Sequence, residues 1–266
     1  MLLTSNGETL GLPLNTLFAF LLVLARVGGL AAFLPIPALR NAPPSVRAVL
    51  AMVVTFALFP VWPSLTITNT NGLPTFGQLI ATAIAETGFG LAMGLAVNLL
   101  LEGLQIAAQL IGIQAGYGYA TTIDPTSQAD AGVLQVVTML MTGLLLFTLG
   151  IDRELFRILA ASFVKFPAGS WILSAASVDG IVRLGSGMFS LGLRLAMPIV
   201  ALLALIDLAL AALGRMQQQL QMLSLAFPLK MLAALLLLTI QIPVFLRLFE
   251  HASGDMLAVL WRAVGR

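Results

Sequence analysis

The chain contains no cysteine and a single histidine, His251. Without cysteine there is no disulfide framework, no thiolate nucleophile and no sulfur-based metal site. One histidine leaves no zinc constellation and no basis for a His-centred triad. No metal, cofactor or catalytic residue is therefore assigned. Charge is scarce as well: Asp, Glu, Lys and Arg together make up 9% of the 266 residues, and the net charge is +2. That is too little, and too scattered, for a nucleic-acid surface. The GxSxG, HExxH, Walker and Rossmann fingerprints are all missing, which argues against the commoner hydrolases and nucleotide enzymes. The residues from Met1 to Leu10 hold Glu8 and no basic cluster, so no cleavable signal is expected there. Leu2 follows Met1 and cysteine is absent, so no lipid-attachment motif is expected either.

What the chain has in abundance is apolar surface. Hydrophobic residues make up 59%, and the mean hydropathy of +1.03 lies far above the soluble-domain norm. Several runs reach the roughly 20 residues needed to cross a bilayer. The expected fold is all-α: a membrane-type protein of about six long, kinked helices or helical hairpins. It is expected to form one domain over residues 1–266, with no internal repeat and no soluble domain.

Residues 15–34 read as a first apolar helix stopped by Pro35 and Pro37. Arg26 lies inside it. Such an arginine either faces protein or water, where it finds a carboxylate or backbone carbonyls, or snorkels to the headgroups. The connector 35–44 carries four prolines and Arg40, with Arg47 following. Its basic character places the amino terminus outside under the positive-inside rule. A second helix is expected over 45–59. From Thr75 to Gly116 there is no proline, and one straight helix there would run about 60 Å, twice the hydrocarbon thickness. Within it Glu86, Gly90, Gly94, Asn98 and Glu102 recur every four residues. That spacing makes a low ridge suited to close helix contact. Glu86 is the exception on the ridge, because burying an unpaired carboxylate costs on the order of several kcal/mol. It pairs with a base, for which Arg26 is a candidate, or it faces water.

The stretch Gln105 to Pro125 stands apart. Gln105 and Gln109 share a helix face, after which the pattern loosens through Gly112, Gly116, Tyr117, Gly118 and Tyr119 and stops at Asp124-Pro125. The only two tyrosines of the chain alternate with these glycines. Irregular backbone in so apolar a chain is tolerable only where protein covers it or it lines a water-filled cavity. The loop is therefore read as lying on a pathway. Beyond it, helices are expected over 128–149, over 152–163 and over 179–221, the last holding Arg183, Arg194 and Asp207 and interrupted by Pro198. Phe227-Pro228-Leu229-Lys230 is expected to open the last long helix, kinked at Pro243.

Several of these pieces together resemble the flagellar biosynthetic protein FliR family, a component of the type III secretion export gate. They are Arg26 with Pro35 and Pro37, Pro43 to Arg47, Glu86 with Gly90 and Gly94, the block Gly112 to Pro125, Ser162-Phe163 with Pro167 to Gly169, and Arg215 with Phe227 to Lys230. The order, spacing and length agree over nearly the whole chain. The chain departs from the family pattern at Gln218 to Leu223 and at Ala226. The resemblance implies a conduit subunit with no enzymatic activity and no cofactor. It implies assembly with FliP-like and FliQ-like subunits, alongside FlhB-like and FlhA-like components. The setting would be the bacterial inner membrane at the flagellar basal body, with unfolded flagellar proteins passing through. It implies that the helices, though hydrophobic, pack largely against sister subunits and are raised from the bilayer plane in the assembled gate, so that the long run from Thr75 to Gly116 need not span lipid and the basic connector need not mark a cytoplasmic side.

The resemblance also implies a pore-obstructing loop at about 112–124, with Gly112, Gly116, Tyr117, Gly118, Tyr119, Asp124 and Pro125 as its residues. Arg26, Glu86, Gly90, Gly94 and Asp207 are expected as buried charge and packing positions. Arg215, Gln219, Phe227, Pro228 and Lys230 are expected at subunit contacts. The competing readings are the homologous injectisome subunit and a stand-alone secondary transporter using Glu86 or Asp207 as a coupling carboxylate. An intramembrane enzyme lacks a nucleophile and base.

Overall fold

The computed structural model describes residues 4–5, 8–9, 14–34, 43–62, 76–117, 132–166, 171, 175–216 and 222–264. Among them are seven α-helices: α1 Leu14–Phe33, α2 Pro44–Ala57, α3 Phe76–Ala115, α4 Val133–Thr148, α5 Ile151–Lys165, α6 Ala175–Met216 and α7 Met222–Val264. Near the amino terminus Thr4–Ser5 and Glu8–Thr9 form a two-residue antiparallel ladder, in register Thr4 to Thr9. Four helices are long and apolar enough to cross a membrane, along Thr16–Phe33, Gly77–Ala115, Val178–Arg215 and Ala226–Val264. The number rises to five if α4 and α5 count as one broken span.

The helix ends follow from local chemistry. Pro44 opens α2, where its missing N–H costs nothing because first-turn donors have no intrahelical partner. The proline-free stretch forms a single 40-residue helix, α3. The loosening expected from Gly112 onward does not begin there, since Gly112 is an interior residue of α3. One glycine costs a helix only about 1 kcal/mol, which a tertiary contact outweighs. The break comes at Gly116, where φ is +84°. There Tyr117 N–H donates to the Gly112 carbonyl at 3.0 Å and Gly116 N–H to the Ile113 carbonyl at 3.1 Å. This pair of bonds is a Schellman cap, and its left-handed residue is normally glycine. Gly150, with φ +68°, ends α4 in the same region of backbone space. α5 then opens with Asp152 and Glu154 and closes with Lys165, each sign suited to its end of the helix dipole.

Pro228 does not open α7. The helix starts at Met222 and carries Pro228 and Pro243 inside it, as α6 carries Pro198. A proline forfeits one backbone bond and distorts the turn before it. The carbonyl that Pro198 leaves without its helical donor is that of Arg194; next to it, Gln241 Nε2 donates to the Leu195 carbonyl at 2.7 Å.

The chain divides into two compact units. The first comprises residues 1–98, 152–181 and 257–266. Its core holds Val23 and Val27 of α1, Phe89 and Met93 of α3, and Ile158 and Leu159 of α5, all buried. The second comprises residues 99–151 and 182–256. Leu104 and Ile111 of α3, Leu195 and Leu203 of α6, and Phe249 of α7 are buried in it. There α3 meets α6 at two glycines: a Cβ on Gly192 would lie 2.7 Å from the Gly103 carbonyl oxygen, and one on Gly103 3.0 Å from that of Met188.

Candidate functional site

In the first unit the chemistry converges on Arg26. Its side chain is fully buried, as is that of Glu86. Nε donates to Glu86 Oε2 at 2.5 Å, Nη1 to Ser162 Oγ at 2.8 Å and Nη2 to the Phe166 carbonyl at 3.1 Å. Cζ lies 4.8 Å from the ring centroid of Phe89 and 4.4 Å from that of Phe163. The planar guanidinium thus ties α1, α3 and the end of α5 together through charge, hydrogen bonds and ring faces. Helical spacing explains the convergence. Glu86 and Phe89 are three residues apart on one face of α3. Ser162, Phe163 and Phe166 occupy the last turn of α5 and its exit. Ser162 Oγ accepts from Arg26 and its hydroxyl donates a hydrogen bond to the Leu159 carbonyl at 2.6 Å.

Three glycines let the two backbones approach closely enough for this. A Cβ on Gly90 would overlap the Arg26 carbonyl oxygen, and one on Gly29 would overlap that of Thr87. A Cβ on Gly94 would sit 2.7 Å from the Leu30 carbonyl oxygen. A proton-coupling carboxylate must exchange with water. Glu86 is enclosed and engaged by a permanent cation, which links α3 to α1.

In the second unit the polar groups gather around the end of α3. Lys230 Nζ lies 2.9 Å from Asp207 Oδ1 and 3.0 Å from Oδ2. Gln114 Nε2 donates to the same Oδ2 at 2.9 Å. Asp207 of α6 therefore joins the last turn of α3 to α7, but it is not the buried charge expected from the sequence: its side chain is 43% exposed, whereas that of Lys230 is 12% exposed. One turn further on, Tyr117 donates its hydroxyl proton to the Met231 carbonyl at 3.2 Å. The Phe227 ring closes on Gly116, where a Cβ would come within 2.7 Å of Cδ1. Gly116 is thus constrained twice, by its positive φ and by the ring. Burial pushes the Tyr117 phenol above its ordinary pKa, so it remains a neutral donor. The end of α3 is held against both α6 and α7 where the Gly-Tyr stretch begins. Gly118, Tyr119, Asp124 and Pro125 lie outside the described residues, as does Gln219. Arg215 and Pro228 are exposed.

Both clusters include groups that the sequence did not single out as site residues, namely Ser162, the Phe166 carbonyl and Gln114. Their partners lie between 93 and 140 residues away along the chain, far beyond any local period. Among the described residues no group of acidic, His or Cys side chains is arranged to hold a metal ion.

Residues 17–256 match the family described as bacterial export proteins, family 1. The chain belongs to this family. Within it, the chain is similar to the flagellar biosynthetic protein FliR of Escherichia coli strain K12, with 30% identity over 238 residues, 89% of each chain. It is also similar to FliR of Bacillus subtilis strain 168, 27% identical over 231 residues, or 84% of this chain and 85% of that one. FliR of Aquifex aeolicus strain VF5 is 25% identical over 217 residues, 82% of each chain. Both clusters of this bacterial export protein fall inside the matched region, from Arg26 to Lys230.

Proposed function

We propose that this chain is the FliR-type subunit of a flagellar type III protein export apparatus. Its role is structural and gating rather than enzymatic. The observation that carries the reading is similarity to flagellar biosynthetic proteins over nearly the full length, 89% of both chains for the Escherichia coli relative. Helices long and apolar enough to cross a membrane accord with it. The injectisome and transporter readings are not favoured, because the relatives are named as flagellar biosynthetic proteins.

In this reading the chain acts as one export-gate domain over residues 1–266 in the bacterial inner membrane, at the flagellar basal body. It assembles with FliP-like and FliQ-like subunits, next to FlhB-like and FlhA-like components, around a conduit for unfolded flagellar proteins. The stretch from Gly116 through Asp124 obstructs the resting conduit, with Tyr117 and Tyr119 supplying bulk. Its support is local: the stretch leaves α3 at a glycine pinned by Phe227, beside a charge cluster that anchors its root. Arg215, Gln219 and Pro228 face neighbouring subunits.

The test is affinity purification of the tagged chain in mild detergent, with mass spectrometry and native mass determination. Recovery in a large complex with FliP-like and FliQ-like partners supports the assignment. A clean monomer or homodimer, from cells that express those partners, overturns it.

A further inference from the structure

The second half of α3 carries its polar residues on one side. Glu102, Gln105, Gln109 and Gly112 follow one another at helical spacing, and at 3.6 residues per turn they fall within a sector of about 80°. Leu104, Ala107 and Ile111 point the other way and are buried. Gln109 is exposed, and Glu102 and Gln105 are partly so. None of these three has a hydrogen bond or ion pair among the described residues. A Cβ on Gly112 would meet nothing within 4 Å. Ile106 and the exposed Ile113 border the stripe, which runs about 15 Å at 1.5 Å per residue.

The rest of the second unit turns a different surface outward. Leu205 and Leu208 of α6, and Leu236 and Ile240 of α7, are exposed and apolar. Such faces suit burial against other protein, which the stripe does not. An apolar cover would strand two amides and a carboxylate without partners, at a cost that native interiors avoid. A polar cover would have to offer matched donors and acceptors at each level of the helix. Water does so at every level. The stripe also leads into Gly116 and Tyr117, the root of the stretch read above as obstructing the conduit, with Gln109 about 10 Å short of Gly116 at 1.5 Å per residue.

We infer that this side of α3 is a water-lined wall of the conduit, over which an extended polypeptide passes. Gln105 and Gln109 form its centre, and Glu102 and Gly112 its two ends. The inference rests on the export reading and assigns the conduit a wall. The side-chain types fit that use. An apolar wall would hold an unfolded chain by burying its apolar groups, and a strongly charged wall would hold segments of opposite sign. Glutamine amides donate and accept without net charge, so their bonds to a passing backbone exchange readily for bonds to water. Gly112 adds no side chain and keeps the wall low before the helix ends.

The absence of cysteine from the chain makes the test direct. Gln105→Cys and Gln109→Cys are introduced singly into the full-length chain, which is purified with the partners it retains. Each variant is treated with a cationic, water-soluble methanethiosulfonate, and labelling is read on the separated chain. Labelling near the rate of the denaturant-unfolded chain is expected at both positions. Strong protection means protein cover and overturns the proposal, whatever the fate of the export assignment. In cells, a filament protein fused to a tightly folded domain serves as stalled cargo, with one cysteine in its threaded part. Mild oxidation should link it to 105 and 109 but not to Leu205→Cys or Leu236→Cys. Cargo that jams secretion yet links to neither 105 nor 109, or links equally to 205 and 236, overturns the wall while leaving the export assignment intact. Glu102→Cys replaces any variant that does not recover the parent complex size.

Discussion

Replacing Glu86 with leucine would leave the Arg26 guanidinium fully buried with only neutral acceptors, Ser162 Oγ and the Phe166 carbonyl. Removing one partner of a buried ion pair typically costs about 3–5 kcal/mol, because the remaining charge has lost its counter-ion without regaining water. At about 1.4 kcal/mol per tenfold, that is roughly a hundred- to several-thousand-fold loss in the folding equilibrium. For a chain of this size each kcal/mol lowers the melting temperature by about 2–4 °C, so a drop of roughly 6–20 °C is expected. The compensating variant, Arg26→Met with Glu86→Leu, removes both charges. It still leaves the Phe166 carbonyl without its donor, at about 1–3 kcal/mol. The double variant should therefore recover much of the loss but not all of it. The assay is a double-mutant cycle read by thermal unfolding of the detergent-solubilised chain, followed by size-exclusion chromatography. A single variant within about 1 kcal/mol of the parent, or losses that simply add in the double variant, would refute the account of Arg26 as a buried link between α1 and α3.

Three further outcomes follow from the same geometry. Gly90→Ala should destabilise the chain, since its Cβ overlaps the Arg26 carbonyl oxygen, whereas Gly185→Ala meets nothing within 4 Å and should gain up to about 1 kcal/mol of helix propensity; parallel melting curves check the opposite signs. Asp207→Lys or Lys230→Asp alone puts like charges together beside the end of α3; with the Asp207 side chain 43% exposed to solvent, the loss should be about 1 kcal/mol or less, while the exchanged pair should restore most of it. Deleting residues 116–121 should raise small-ion conductance through the assembled complex in planar bilayers, and unchanged conductance would remove the obstructing role from the loop.

The chemistry of the arginine knot was partly legible in the sequence. An arginine inside an apolar helix needs acceptors, and the Glu86, Gly90, Gly94 row marks a face suited to close contact. The contribution of α5 was not legible, because Ser162 and Phe166 reach Arg26 across 136 and 140 residues and no local period encodes that. The long helix α3 could be read from its lack of proline. Its end could not be read from glycine content, since Gly112 and Gly116 are equivalent in composition. They differ in the tertiary setting: Gly116 takes the left-handed cap beside Phe227, and Gly112 does not. The start of α7 was misplaced for a related reason. Proline was read as a boundary at 228, but the helix runs through it at the loss of one backbone bond.

The most direct test of the export assignment is genetic. The gene is deleted in its own host, and flagellar proteins are measured in the medium together with swimming motility. The account predicts that filament proteins no longer reach the medium, that cells do not swim, and that a plasmid copy restores both. Deletion strains that still secrete filament protein and swim would contradict it.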